Sequence, residues 1–131
     1  MHRAAGFSLI ELLIAIMVIG VGLLGILLGN TFTQKTGEIA HEQIVAIQDA
    51  HRVIELMRNA SANGNFPGNV TAAFPNAAVI AGFNNLSSEQ VTVIYADPTS
   101  DPLDVTVTTS WLELGVRNTS TRLRTLMTKR G

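Results

Sequence analysis

Glu11 is the only ionisable residue between Phe7 and Leu28. A carboxylate this deep in a lipid-length segment costs about 2.5–3.5 kcal/mol, so such a group marks a functional site. It can accept hydrogen bonds and pair with a cation. Other side chains with chemistry lie further along. Asp97, Asp101 and Asp104 carry oxygens that Ca²⁺ would take, or they belong to a polar hairpin loop with Pro98 and Pro102. His41 and His51 are ten residues apart on an expected helix. Their faces differ, so they form no zinc pair and read as solvated or packed. Arg117, Arg122, Arg124, Lys129 and Arg130 gather near the C-terminus. Nucleic-acid binding would want stacking aromatics beside them, and aromatics are few, so nucleic acid is not an expected partner. The chain has no cysteine, which removes disulfides, zinc thiolates and thiol nucleophiles. No Ser/His/Asp set, phosphate loop or metal cluster points to an enzyme, and no cofactor is expected. Four Asn-X-Ser/Thr matches, at Asn59, Asn69, Asn85 and Asn118, read as coincidence in an Asn- and Thr-rich chain.

The element that positions Glu11 is an apolar run from Phe7 to Leu28. As a helix it spans roughly 33 Å, the thickness of a bilayer core. A buried core helix is rarely apolar over more than ~14 residues. A cleaved secretory signal would have a shorter apolar region with small residues after it; here Ala4, Ala5 and Gly6 come before it. Arg3 precedes the run, and the far flank is uncharged until Lys35. The N-terminus is therefore expected in the cytoplasm and the rest of the chain outside. The formal net charge of −1 gives no global attraction to anionic surfaces.

Beyond the run, Ala40, Ile44, Ile47, Ala50, Ile54 and Met57 fall at helical steps, widened by Ala46 and Val53. Glu55 and Arg58 form a favourable i, i+3 pair. The stretch from Asn59 to Gly64 supplies a stop, with Gly64 suited to a left-handed cap. Residues 63–90 read as a connector with turn clusters at Phe66-Pro67-Gly68-Asn69 and Phe74-Pro75-Asn76; 77–83 reads as a short buried strand or coil. Then the period becomes two. Val91–Tyr95 is a strand, and Asp97–Pro102 a loop. Val105–Leu112 is a longer strand with Val105, Val107, Thr109 and Trp111 on one face. Gly115–Ser120 turns the chain, and Thr121–Thr128 is a third strand. One apolar sheet face and one helix stripe must cover each other. The expected fold class is α+β: a long N-terminal helix packed against a small antiparallel sheet.

Residues from Phe7 to about Asn30 resemble the N-terminal segment of type IV prepilins. That family has a short leader ending in Gly, then an aromatic residue, and Glu at the fifth mature position; the matching residues are Gly6, Phe7 and Glu11. Ile19-Gly20-Val21-Gly22-Leu23-Leu24-Gly25 and Ala50–Asn59 resemble minor pilins of the PilV type. The resemblance implies a leader at 1–6, an assembly and transmembrane helix at 7–29, and an amphipathic continuation at 30–62. The connector at 63–90 and a β-meander with a basic C-terminus at 91–131 complete the plan. It further implies cleavage after Gly6 by a membrane aspartyl prepilin peptidase. Phe7 would then be N-methylated with S-adenosylmethionine held by that peptidase. The cell location implied is the inner membrane with an outer, periplasmic domain, then the pilus or cell surface.

Glu11 would pair with the new amine of Phe7, on its own or a neighbouring subunit. The competing reading is a carboxylate that snorkels to the interface. Gly20, Gly22, Gly25 and Gly29 would allow close helix approach or local loosening, although the Pro common there in major pilins is absent. Expected partners are the peptidase, other minor and major pilins, and the inner membrane. Three functions stay open: a minor pilin that primes or caps a pilus, a minor pseudopilin of a type II secretion system, and a filament-tip binding module.

Overall fold

The computed structural model describes residues 8–62 and 64–129. Contacts divide the chain into two units, Met1–Gly37 and Glu38–Gly131. Helix α1, Leu9–Ser61, belongs to both.

In the first unit the described part of α1 is exposed throughout. Its most apolar 18-residue window is long enough to cross a membrane, and none of it is buried. A helix apolar all round needs a surrounding other than water.

The second unit buries a stripe of α1 against a sheet. Four antiparallel strands run in the order β1-β2-β3-β4: β1 Val79–Ile80, β2 Gln90–Tyr95, β3 Leu103–Glu113 and β4 Arg117–Met127. Burial along β3 alternates without a break. Leu103, Val105, Val107, Thr109, Trp111 and Glu113 face inward, as the period-two pattern requires. Val91, Val93 and Tyr95 of β2 join them against Ala50, Val53, Ile54 and Met57 of α1. The expected α+β architecture is therefore observed; the fourth strand, β1, falls within 77–83, which the sequence leaves open between strand and coil.

Three details differ from the sequence reading. The connector is not irregular throughout: it contains a short helix α2, Gly68–Ala73, and the strand β1. Val70 of α2 is fully buried in the core, with Phe66, Phe74 and Phe83 packed at its margin. Strand β4 starts at Arg117 rather than Thr121, because a tight turn around Leu114 and Gly115 reverses the chain at once. Both residues have positive φ, 50° and 70°, and a glycine meets that demand without strain. Finally, the helix stripe is rotated. Ile44 and Ile47 stay 54% and 39% exposed and Ala40 is exposed, while Ala46 and Asp49 are buried and Glu42 is half-buried.

The connector is tied to the sheet by specific bonds. Tyr95 donates its hydroxyl to the Phe74 carbonyl at 2.7 Å, and its N–H to Asn76 Oδ1 at 3.1 Å. Burial pushes the Tyr95 phenol up to about 12. Asn69 of α2 donates to the Ala60 carbonyl near the end of α1.

Thr109 is fully buried, and its hydroxyl has no hydrogen-bond partner among the described residues. Burying an unpaired hydroxyl carries a desolvation penalty that an isosteric apolar group avoids. Thr109→Val is expected to raise stability by about 1 kcal/mol, seen as a higher Tm for the detergent-solubilised chain by circular dichroism.

Candidate processing and assembly site

Gly6 and Phe7 lie outside the described residues. The description starts at Ser8, whose carbonyl accepts from the N–H of Glu11 at 3.0 Å and of Leu12 at 3.1 Å. Helix α1 begins at Leu9, so Glu11 stands in its first turn. The N–H groups at the start of a helix carry partial positive charge. An acid is favourable there. Ser8 and Glu11 also have the three-residue spacing of a capping box, a local signal that the sequence reading did not use. The Glu11 side chain is exposed, free to meet a cation.

The four helix glycines lie further along the same element. No atom approaches within 4 Å of where a Cβ would sit at Gly20, Gly22, Gly25 or Gly29. Among the described residues nothing outside the helix itself requires these residues to be small. After Leu28 the helix turns polar, and the hydroxyls of Thr31, Thr33 and Thr36 donate to the carbonyls of Leu28, Gly29 and Phe32 at 2.9–3.0 Å. Bonded back to their own helix, they make that flank less demanding of water.

The second unit holds functional contacts that sequence reasoning missed. Glu42 lies off the apolar stripe of Ala40, Ile44 and Ile47 that helical periodicity picks out. Yet its carboxylate accepts from Trp111 Nε1 at 3.1 Å and from the Leu114 N–H at 3.1 and 3.3 Å. It holds the β3–β4 turn against α1 at the residue whose φ is least comfortable. Asp49, only 5% exposed, accepts both contacts of Asn85 Nδ2, at 3.2 and 2.9 Å. Glu89 accepts from the N–H groups of Asn85 and Leu86 at 2.8 and 3.1 Å, closing the loop ahead of β2. Burial raises the Glu89 carboxyl above its ordinary range, and the nearby Asp49 carboxylate adds to the rise. The spacing of Glu42, Ala46, Asp49 and Val53 is helical, and that periodicity could have revealed the two acids as inward-facing.

Some of the remaining polar candidates have local partners. Asp97 accepts from the N–H and hydroxyl of Thr99, which hold its carboxyl below the usual range. Asp104 is paired with Arg124 across β3 and β4, which lowers its carboxyl too. The three aspartates form no metal-binding group among the described residues. His41 and His51 are both exposed. Arg122 and Arg124 share the exposed face of β4, as the alternation implied. The expected Glu55–Arg58 pair is present at 2.7 Å.

Residues 1–27 match the family model described as the prokaryotic N-terminal methylation motif. The matched stretch contains Gly6, Phe7, Glu11, Gly20, Gly22 and Gly25; Gly29 lies beyond it. Together with the apolar helix, the match supports a type IV prepilin-like protein: a membrane-anchored, processed subunit of the pilin or pseudopilin kind. Proteins of that kind are structural rather than enzymatic. Comparisons with curated proteins and with solved structures found no match.

Removing the Glu42 carboxylate leaves two donors to find other partners. Glu42→Ala is expected to destabilise the protein by about 1–3 kcal/mol. Its effect should add less than fully to that of Trp111→Phe, because both break one contact. Thermal unfolding of the two single variants and the double variant measures this coupling.

Proposed function

We propose that this chain is a minor pilin of the PilV type, an assembly subunit and not a catalyst. Prepilin peptidase cuts after Gly6 on the cytoplasmic side and frees the amine of Phe7. That amine is then methylated. Four residues on, the Glu11 carboxylate neutralises the new cation, on the same subunit or its neighbour in the assembly. An unpaired charge in an apolar layer costs several kcal/mol, so pairing sets the register of subunits. The subunit then leaves the inner membrane with other minor and major pilins, and its outer domain goes to the cell surface.

The observation that carries this reading is the methylation-motif match lying on an apolar helix that is exposed among the described residues. Gly20, Gly22 and Gly25 favour the pilus over the alternative, a minor pseudopilin of a type II secretion system, through the likeness of residues 19–25 to PilV-type minor pilins.

Glu11→Ala is expected to leave cleavage intact and to cut recovery of the subunit in sheared pili at least tenfold. Unchanged recovery would remove the docking role of Glu11. Wild-type protein absent from sheared pili, with loss of enzyme secretion on deletion of the gene, would assign the chain to the secretion machinery instead.

A further inference from the structure

The two edges of the sheet are unlike. On one side β1 has only two residues, the kind of short edge strand that discourages pairing. On the other, β4 has eleven, paired to β3 in unbroken register from Arg117↔Glu113 to Met127↔Leu103. It holds no proline, glycine or bulge.

The direction of its free backbone groups follows from β3. The Asp104 carbonyl accepts from Ala96 N at 3.2 Å, the Thr108 carbonyl from Thr92 Oγ1 at 3.5 Å, and Leu112 N donates to Ser87 O at 2.8 Å. All three turn away from β4. Alternate residues of a strand direct their backbone to opposite neighbours. Val105, Val107, Thr109 and Trp111 therefore serve β4, bonding to Thr125, Leu123, Thr121 and Thr119. The N–H and C=O groups of Asn118, Ser120, Arg122, Arg124 and Leu126 point outward. Among the described residues no hydrogen bond reaches them.

Charge selects what can pair with this edge. Strand β4 carries Arg117, Arg122 and Arg124 and no acid. Arg117 is paired with Glu113 and Arg124 with Asp104; Arg122, between them, has no acidic partner among the described residues. A second copy adding symmetrically along the full strand would set Arg122 against Arg122, and like charges directly opposite are destabilising. An incoming strand with carboxylates at alternate positions would meet it favourably. At the Met127 end a cavity of about 370 Å³ lies between Glu55, Arg58 and Ser61 of α1 and residues 126–128. It has room for one side chain at the end of such a strand.

We infer that the outer edge of β4 is a strand-addition site for an extended acidic segment of another protein. Main-chain bonds supply the attachment, and Arg122 supplies the charge preference. This rests on the sheet alone and is independent of how the N-terminus is processed.

The test uses the full-length chain in detergent micelles. The probe is a ten-residue peptide of alternating glutamate and threonine; the control replaces each glutamate with lysine. Amide hydrogen exchange is read by NMR. The acidic peptide should slow exchange at Ser120, Arg122 and Arg124 at least tenfold and the lysine peptide should not, with the effect reduced by 0.5 M salt, roughly a 4 Å screening length. Ser120→Pro removes one outward N–H without touching the β3 pairing and should abolish protection while the Trp111 fluorescence stays native. Arg122→Glu should reverse the preference between the peptides. Unchanged exchange at millimolar acidic peptide, or equal protection in Ser120→Pro, would overturn the site. Protection that grows with protein concentration and no peptide would overturn the acidic occupant in favour of a second copy.

Discussion

Everything in the second unit depends on one burial: the α1 stripe through Ala50, Val53, Ile54 and Met57 against the inner face of β2 and β3. Val53, Ile54 and Met57 each contribute roughly 1.5–3 kcal/mol when removed from water. Without disulfides, packing of this kind must hold the unit together. The same helix carries residues 9–28, apolar apart from Glu11 and exposed among the described residues. One element thus serves two surroundings. Its composition changes between them, from apolar all round to a stripe flanked by charge.

The stripe is not purely apolar. Glu42 and Asp49 sit on it, each with a donor brought from another part of the chain. Glu42 holds the turn between β3 and β4, and Asp49 holds Asn85 in the loop before β2. Carboxylates placed among apolar residues are costly unless hydrogen-bonded. Here that requirement fixes where the turn and the loop lie along the helix, which apolar contacts alone would specify less sharply.

This explains which features the sequence makes legible. The membrane-length run, the inward face of β3 and the Glu55–Arg58 pair follow from short-range periodicity and stand as expected. The phase of the helix stripe does not, because Glu42 and Asp49 look like solvent-facing residues until their partners, Trp111 and Asn85, are brought near by folding. Helix α2 is equally hidden, and strand β1 is visible only as an apolar stretch at 77–83 that could be strand or coil. Two residues of strand carry no period, and Val70 is buried by tertiary contact alone. In the candidate site, Glu11 stands out by its cost in an apolar run, and Gly6 and Phe7 by their spacing from it. The helix glycines are visible in sequence, and among the described residues no side chain packs against them.

The proposed function joins a processed N-terminus to a second unit built on its own core. Its central claim is that residues 1–6 are removed and that Phe7 becomes a methylated terminal amine facing Glu11. Intact-mass and N-terminal peptide mass spectrometry of the protein purified from its native membrane tests this most directly. The account predicts a chain that starts at Phe7 and is heavier there by one methyl group. A stably anchored protein that still begins at Met1 would contradict it.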